Sequence, residues 1–337
     1  MKQASFFRRL TQQIRGFALL GLSAWAGLTV GTSAISQTPN WPNQTIKVIV
    51  PFTPGTGMDT IARAVAPRLS EKLGQPVVVS NMPGASGNIG ADAVAKSTAD
   101  GYTLLMGANT MLIASQLYKN VPFEPTKDFA PISMAAWGTL MLVANPKTGI
   151  KTVDDLVKRS KASPGSVTFG SPGVGTPHHM AMELFKSQTQ LFMLHVPYRG
   201  TAGYTQDLLA GEIQVGFLPV HVAQGMVSAG RLNALAVGSP KRNPVAPNVQ
   251  TFGELGIKGV EVDMWYAFYA PAKTPQPVVQ RLNAEIVAIM RTQEVRDILA
   301  KGGMDASFST MDELRLVTQQ DYPRWGDVIR RNSIIAD

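Results

Sequence analysis

The sequence predicts an α/β fold: two Rossmann-like lobes joined by two crossing strands, with a ligand cleft between the lobes. Three observations carry this. Short β-rich runs alternate with helical ones, glycine-rich turns follow several of the strands, and two extended apolar stretches divide the alternation into two series. Alternation of this kind gives parallel strands with helices packed on the sheet. The length of 337 residues suits two domains or one large one.

The elements follow in order. Residues 45–50 (TIKVIV) read as a buried strand, followed by a Pro/Gly turn and a helix over 58–73. Residues 77–80 form a second strand, 88–96 a helix and 102–106 a third strand. The second series begins near 150. Thr152 is placed to cap a helix over 153–160, and Asp154 and Asp155 suit its positive first turn. Strands are predicted at 167–170, 194–196, 213–218 and 234–237, with helices at 177–187 and 201–210. The apolar stretches 132–143 and 265–270 are extended in character and carry the chain from one lobe to the other and back. Helices over 276–291, 293–300 and 311–332 then return to the first lobe. On this reading lobe 1 is 37–140 plus 265–337, and lobe 2 is 141–264.

Charge is unevenly placed. The formal net charge is +8, yet Lys2, Arg8, Arg9 and Arg15 precede an uncharged apolar run of about 16 residues (GFALLGLSAWAGLTVG) and the small residues before Gln37. That order is a signal peptide over 1–36, with cleavage after Ser36 or after Ala34, and it implies export. The run is short for the ~20 residues of a membrane span. Beyond it, 27 basic residues face 23 acidic ones, a net of +4. No Lys/Arg block occurs there, so no nucleic acid is expected, whereas a weakly basic surface suits a small anion. The chain has no cysteine, which removes disulfides, thiolate nucleophiles and Cys-ligated metals.

Three glycine-rich turns could hold such an anion. The first, 51–59 (PFTPGTGMD), follows the first strand. Backbone N–H groups of such a turn and of the helix behind it attract an anion without Lys or Arg. The alternative is an ordinary tight turn with Asp59 as a first-turn acid. The second is 81–90 (NMPGASGNIG). The third is 171–179 (SPGVGTPHH), where Thr176 can cap a helix starting at Pro177. None is a P-loop or a dinucleotide fingerprint, and no cofactor is expected. Arg199 can pair with a carboxylate or hold a loop.

Catalytic readings do poorly. No G-x-S-x-G elbow occurs, and Ser171 near His178 and His179 has no orienting carboxylate identified with it. The four histidines lack metal-ligand spacing and read as cap, core or surface; no metal is expected. Trp265, Tyr266 and Phe268 read as core or hinge packing.

At these motifs the chain resembles the Bug family, the solute-binding proteins of tripartite tricarboxylate transporters. IKVIVPFTPGTGMDTIAR, NMPGASGNIGA, ADGYTLL, SPGVGTPHHMAMELF, VPYRGTAGYTQDLLAGEIQVGF and MWYAFYAPAKTP match it in order, from about 41 to 335. The resemblance implies a periplasmic binding protein type II-like fold and no enzymatic step. It implies a small organic carboxylate as ligand, a membrane permease as partner and a monomer. Carried over residue by residue, it implicates Phe52, Gly55, Thr56, Gly57 and Asp59 from the first lobe. From the second it implicates Ser171, Gly173, Gly175, Thr176 and His179, with Asn81, Ala85, Tyr198 and Gly200 at the rim; Arg199 joins them as a candidate carboxylate partner. Thr56 stands where a second glycine is common, and Arg199 where Lys is common. A periplasmic sensor, or a hydrolase using Ser171, are the competing functions.

Overall fold

The computed structural model describes residues 41–335 apart from Asp263; the signal peptide assigned to 1–36 lies outside the described residues. The described elements run β1 (Ile46–Val50), α1 (Gly57–Leu73), β2 (Val77–Asn81), α2 (Asn88–Ala95), β3 (Thr103–Ala108), α3 (Thr110–Leu117), β4 (Phe129–Gly138) and β5 (Leu140–Ala144). They continue with α4 (Val153–Ala162), β6 (Thr168–Ser171), α5 (Pro177–Thr189), β7 (Leu194–Pro197), α6 (Thr201–Ala210), β8 (Val215–Pro219), α7 (Val220–Ser228) and β9 (Asn233–Val237). The last are β10 (Met264–Pro271), α8 (Gln276–Met290), α9 (Gln293–Lys301), β11 (Met304–Ala306) and α10 (Met311–Arg331).

They form two sheets. One is six-stranded in the order β11-β4-β10-β3-β1-β2, the other five-stranded in the order β7-β6-β8-β5-β9. Each has a parallel core, β2-β1-β3 and β7-β6-β8. β10, β4 and β11 extend the first antiparallel, and β5 and β9 extend the second. The sheets are therefore mixed, where alternation alone predicts parallel ones. β1 shows why its sequence is a continuous apolar run. Ile46, Val48, Ile49 and Val50 are all buried, as expected of a strand covered on both faces.

The crossings are short. The stretch read as one strand over 132–143 divides at Thr139: β4 pairs in the first sheet and β5 in the second. Thr139 O accepts from Val220 N–H at the head of α7, which pins the junction. The chain returns just ahead of β10, where Val262 N–H still bonds Gly238 O of the second side. β10 itself pairs along its length with β3 and β4 and is the buried spine of the first sheet. Trp265 Nε1 donates to Asp321 Oδ2 of α10 at 2.7 Å, tying the last helix to that strand.

Candidate functional site

The turn after β1 is fixed by Asp59. Thr56 is the N-cap of α1, and its Oγ1 accepts from Asp59 N–H at 3.4 Å. The Asp59 carboxylate turns back to accept from Gly55 N–H at 3.0 Å. Arg63 Nε donates to both its oxygens, and Asn81 Nδ2 donates to Oδ1 at 2.9 Å. Asn81 also donates to Phe52 O and accepts from Arg63 Nη2. Burial opposes ionisation of Asp59, but the bonds from Arg63, Gly55 and Asn81 outweigh it and hold the carboxyl below its usual range. Asp59 and Asn81 thus brace the turn from behind, and neither lines the cavity.

The turn after β6 has the same outline. Thr176 caps α5 by accepting from His179 N–H, and His179 Nδ1 accepts from Gly175 N–H at 3.3 Å. The His179 ring stacks on His195 at 4.3 Å, and His195 on Phe169 at 4.7 Å. Burial, with His195 and Lys186 nearby, pushes His179 well down, so it stays uncharged. Ser171 Oγ lies 2.7 Å from His195 Nε2 and also bonds Gly173 through both its O and its N–H. Ser171 is completely buried. Tyr198 OH donates to Asp207 Oδ2 at 2.6 Å, and burial together with that carboxylate raises the phenol to about 12.

Between the turns lies a cavity with two parts that share Phe52 and Pro172. The narrow part spans about 480 Å³, open solvent at its mouth included. Gly55, Thr56 and Gly57 line it from the first lobe and Thr176, Pro177 and His178 from the second, with Tyr266 of β10 at its base. Gly57 belongs there for a steric reason: a Cβ would sit 2.6 Å from the Tyr266 hydroxyl. The wide part, about 1450 Å³ with open solvent included, is lined by Ala85, Ser86 and Tyr118 on one side and Gly173, Tyr198 and Arg199 on the other. The lobes touch there. Tyr118 OH donates to Val174 O at 3.3 Å, and a Cβ on Gly200 would lie 2.6 Å from Thr53 Oγ1.

Nine of the fifteen residues singled out in the sequence therefore line the cavity: Phe52, Gly55, Thr56, Gly57, Ala85, Gly173, Thr176, Tyr198 and Arg199. Asp59, Asn81, Ser171, Gly175, His179 and Gly200 stand behind it and shape the turns. His178 and His221, read in the sequence as cap, core or surface, and Tyr266, read as core or hinge packing, line the narrow part. His178 and His179 are chain neighbours about 100° apart around the helix. Only placement on the second sheet tells which one faces the cavity. Among the described residues no acidic side chain lines either part, and Arg199 is the one Lys or Arg that does.

What the arrangement can do follows from its donors. The first N–H groups of an α-helix have no partner inside the helix, and two such ends, of α1 and α5, open into one cavity between two lobes. Fold and site define a two-lobed solute-binding protein. Residues 61–334 match the family model described as the tripartite tricarboxylate transporter family receptor. The chain belongs to that family. It is 34% identical to the protein BugT of Bordetella pertussis over 304 residues, covering 90% of this chain and 93% of BugT. Among solved structures it resembles R. palustris Rpa4515 with adipate (TM-score 0.84, 30% identity, 88% of this chain and 99% of that one). It also resembles MatC of Rhodopseudomonas palustris with bound malate (TM-score 0.81, 28% identity, 86% and 99%).

Proposed function

We propose that the chain captures a small organic carboxylate in this cleft, without chemical change, and delivers it to the membrane permease of its transporter. One observation carries the reading: two helix N-termini from opposite lobes line a cavity that no acidic side chain among the described residues lines. The carboxylate sits against the N–H groups of Gly57 and Met58 on one side and of His178 on the other, where a helix end favours an anion by about 0.3–1 kcal/mol each. Asp59 is committed to Arg63, Gly55 and Asn81. It therefore leaves no carboxylate for the ammonium of an α-amino acid, and plain carboxylic acids fit better. Adipate in Rpa4515 and malate in MatC support the same class. Arg199 at the exposed mouth draws the anion in.

Residues 42–138 with 264–335 move as one body and 140–262 as the other, hinged at Thr139 and just ahead of β10. Closure makes the shape that the permease reads. Export by the segment 1–36 places the chain in the periplasm. A buried Ser171 that lines neither part of the cavity supports binding over hydrolysis.

The test is a thermal-shift screen of the refolded chain, stripped of bound ligand, against a carboxylate panel that includes adipate and malate. An acid at 100 times its dissociation constant adds about 2.7 kcal/mol and raises the midpoint by several degrees. The acid should be recovered unchanged. A flat panel on well-folded protein, or turnover of the bound acid, would remove the reading.

A further inference from the structure

The narrow part of the cavity holds a group that no hydrogen bond in the fold explains. His178 is 93% buried, and neither Nδ1 nor Nε2 has a partner. Its ring lines the cavity beside that of His221, whose Nδ1 is also buried without a partner. Leaving such atoms unpaired is costly, so a buried polar pair of this kind calls for a partner from outside the protein.

The chemistry of that partner follows from the surroundings. His178 is the second residue of α5, at the positive end of the helix. Burial, with His221 nearby, pushes it down to about 3, and burial pushes His221 down to about 4. Among the described residues no Lys or Arg lines this part of the cavity, and apolar atoms of Phe52, Met58, Pro219, Val222 and Met264 do. A neutral imidazole presents one donor and one acceptor. It matches a hydroxyl, carbonyl or amide. The helix-end N–H groups already hold the first carboxylate, so a second one in this part would be desolvated beside a like charge with no cation to meet it.

We propose that His178, with His221 beside it, selects the end of the ligand remote from its carboxylate, and that this end is an uncharged hydrogen-bonding group. The inference rests on the carboxylate reading above and narrows it to carboxylic acids with a neutral polar far end.

The experiment is calorimetric titration of the chain at pH 7.5 with matched straight-chain acids of four to six carbons. Each length supplies three probes: the plain acid, the acid with a terminal hydroxyl, and the diacid (hexanoate, 6-hydroxyhexanoate and adipate at six carbons). At the best length the hydroxy acid should bind at least fivefold tighter than the plain acid and tenfold tighter than the diacid. His178→Phe keeps the ring volume and removes both nitrogens; the ratio of hydroxy acid to plain acid should fall to near one. His178→Gln keeps a donor and an acceptor and should retain part of the ratio. Equal binding of all three probes, a diacid bound tightest, or a ratio unchanged in His178→Phe would overturn the proposal while leaving the carboxylate reading standing. No binding of any probe by folded protein would overturn both.

Discussion

The turns after β1 and β6 share one backbone and are braced by different chemistry. Gly55 and Gly175 both sit at positive φ, 83° and 78°, which glycine adopts at little cost. Thr56 and Thr176 follow in nearly the same conformation, φ −77°, ψ 164° and φ −76°, ψ 155°. Each threonine caps its helix, and each third helical residue reaches back to the glycine N–H. In the first turn that residue is the anion Asp59, neutralised by Arg63. In the second it is the uncharged His179, held by stacking on His195. The comparison teaches that an anion-facing turn needs its backbone aimed, and that the brace can be an ion pair or an aromatic stack. An unpaired Asp59 would repel the ligand; paired, it leaves the helix end available. The turns also differ in donors, because Pro177 has no N–H where Gly57 has one. On the proposed reading the first turn should therefore carry more of the anion.

Removing the braces should show the largest effects. Asp59→Ala leaves Arg63 and the Gly55 N–H without their partner. Breaking a buried pair costs about 3–5 kcal/mol, and because Arg63 is half exposed we expect about 2–3 in urea unfolding. His179→Ala removes a buried ring and one hydrogen bond and should cost about 2 kcal/mol. A larger loss for His179→Ala would reverse the comparison and make the stack the stronger brace. A loss below about 0.5 kcal/mol for Asp59→Ala would mean that the ion pair is incidental.

The sequence carried much of this and missed it in specific places. The β-α-β alternation, the caps Thr152 and Thr176 and the glycine turns are local signals, and they were legible. Helix α3 was not: Thr110–Ala114 are all buried, so the segment shows no amphipathic period. Helix α7 was hidden by its β-branched start, Val220 and Val222. The division of 132–143 between two sheets is a pairing choice made by distant strands. In the site, the glycines and threonines were found because turn chemistry is local. The roles of Asp59 and Asn81 behind the turn, and of His178 inside the cavity, depend on partners 18 and 22 residues away or on another element.

Acid should separate the two turns, because their titrating groups shift against different backgrounds. His178 and His179 have depressed values in the fold, so the unfolded chain binds more protons once the pH falls below about 6.5. Stability then drops by about 1.4 kcal/mol per pH unit for each such histidine. Asp59 is also depressed, from 3.8. Its contribution is in full above about pH 4 and is lost as the pH falls through the lowered value. Urea midpoints at pH 7, 6 and 5 should show the histidine slope, and His178→Gln should reduce it by about one proton. Asp59→Asn should leave that slope intact, lower the midpoints at pH 7, 6 and 5 by a common offset, and remove the further loss below pH 4. A wild-type midpoint that is flat from pH 7 to 5 would mean the buried histidines have found partners.

The smallest effects test whether the turns act together. Thr56→Ala should cost about 1 kcal/mol, the usual loss of an N-cap. Thr176→Ala should cost slightly more, since Thr176 Oγ1 also donates to Gly173 O at 2.7 Å. The two threonines belong to different lobes and share no hydrogen bond, so without ligand the double variant should lose the sum to within about 0.5 kcal/mol. A carboxylate that bridges the two helix ends changes this. Once one turn is misaimed, the ligand no longer closes the lobes, and the second substitution has less to remove. In a saturating carboxylate the double-variant cycle should show coupling above about 0.5 kcal/mol. Additivity with ligand present would mean that the acid rests on one turn alone, and the difference between the two cycles measures how far the cleft works as a pair of turns.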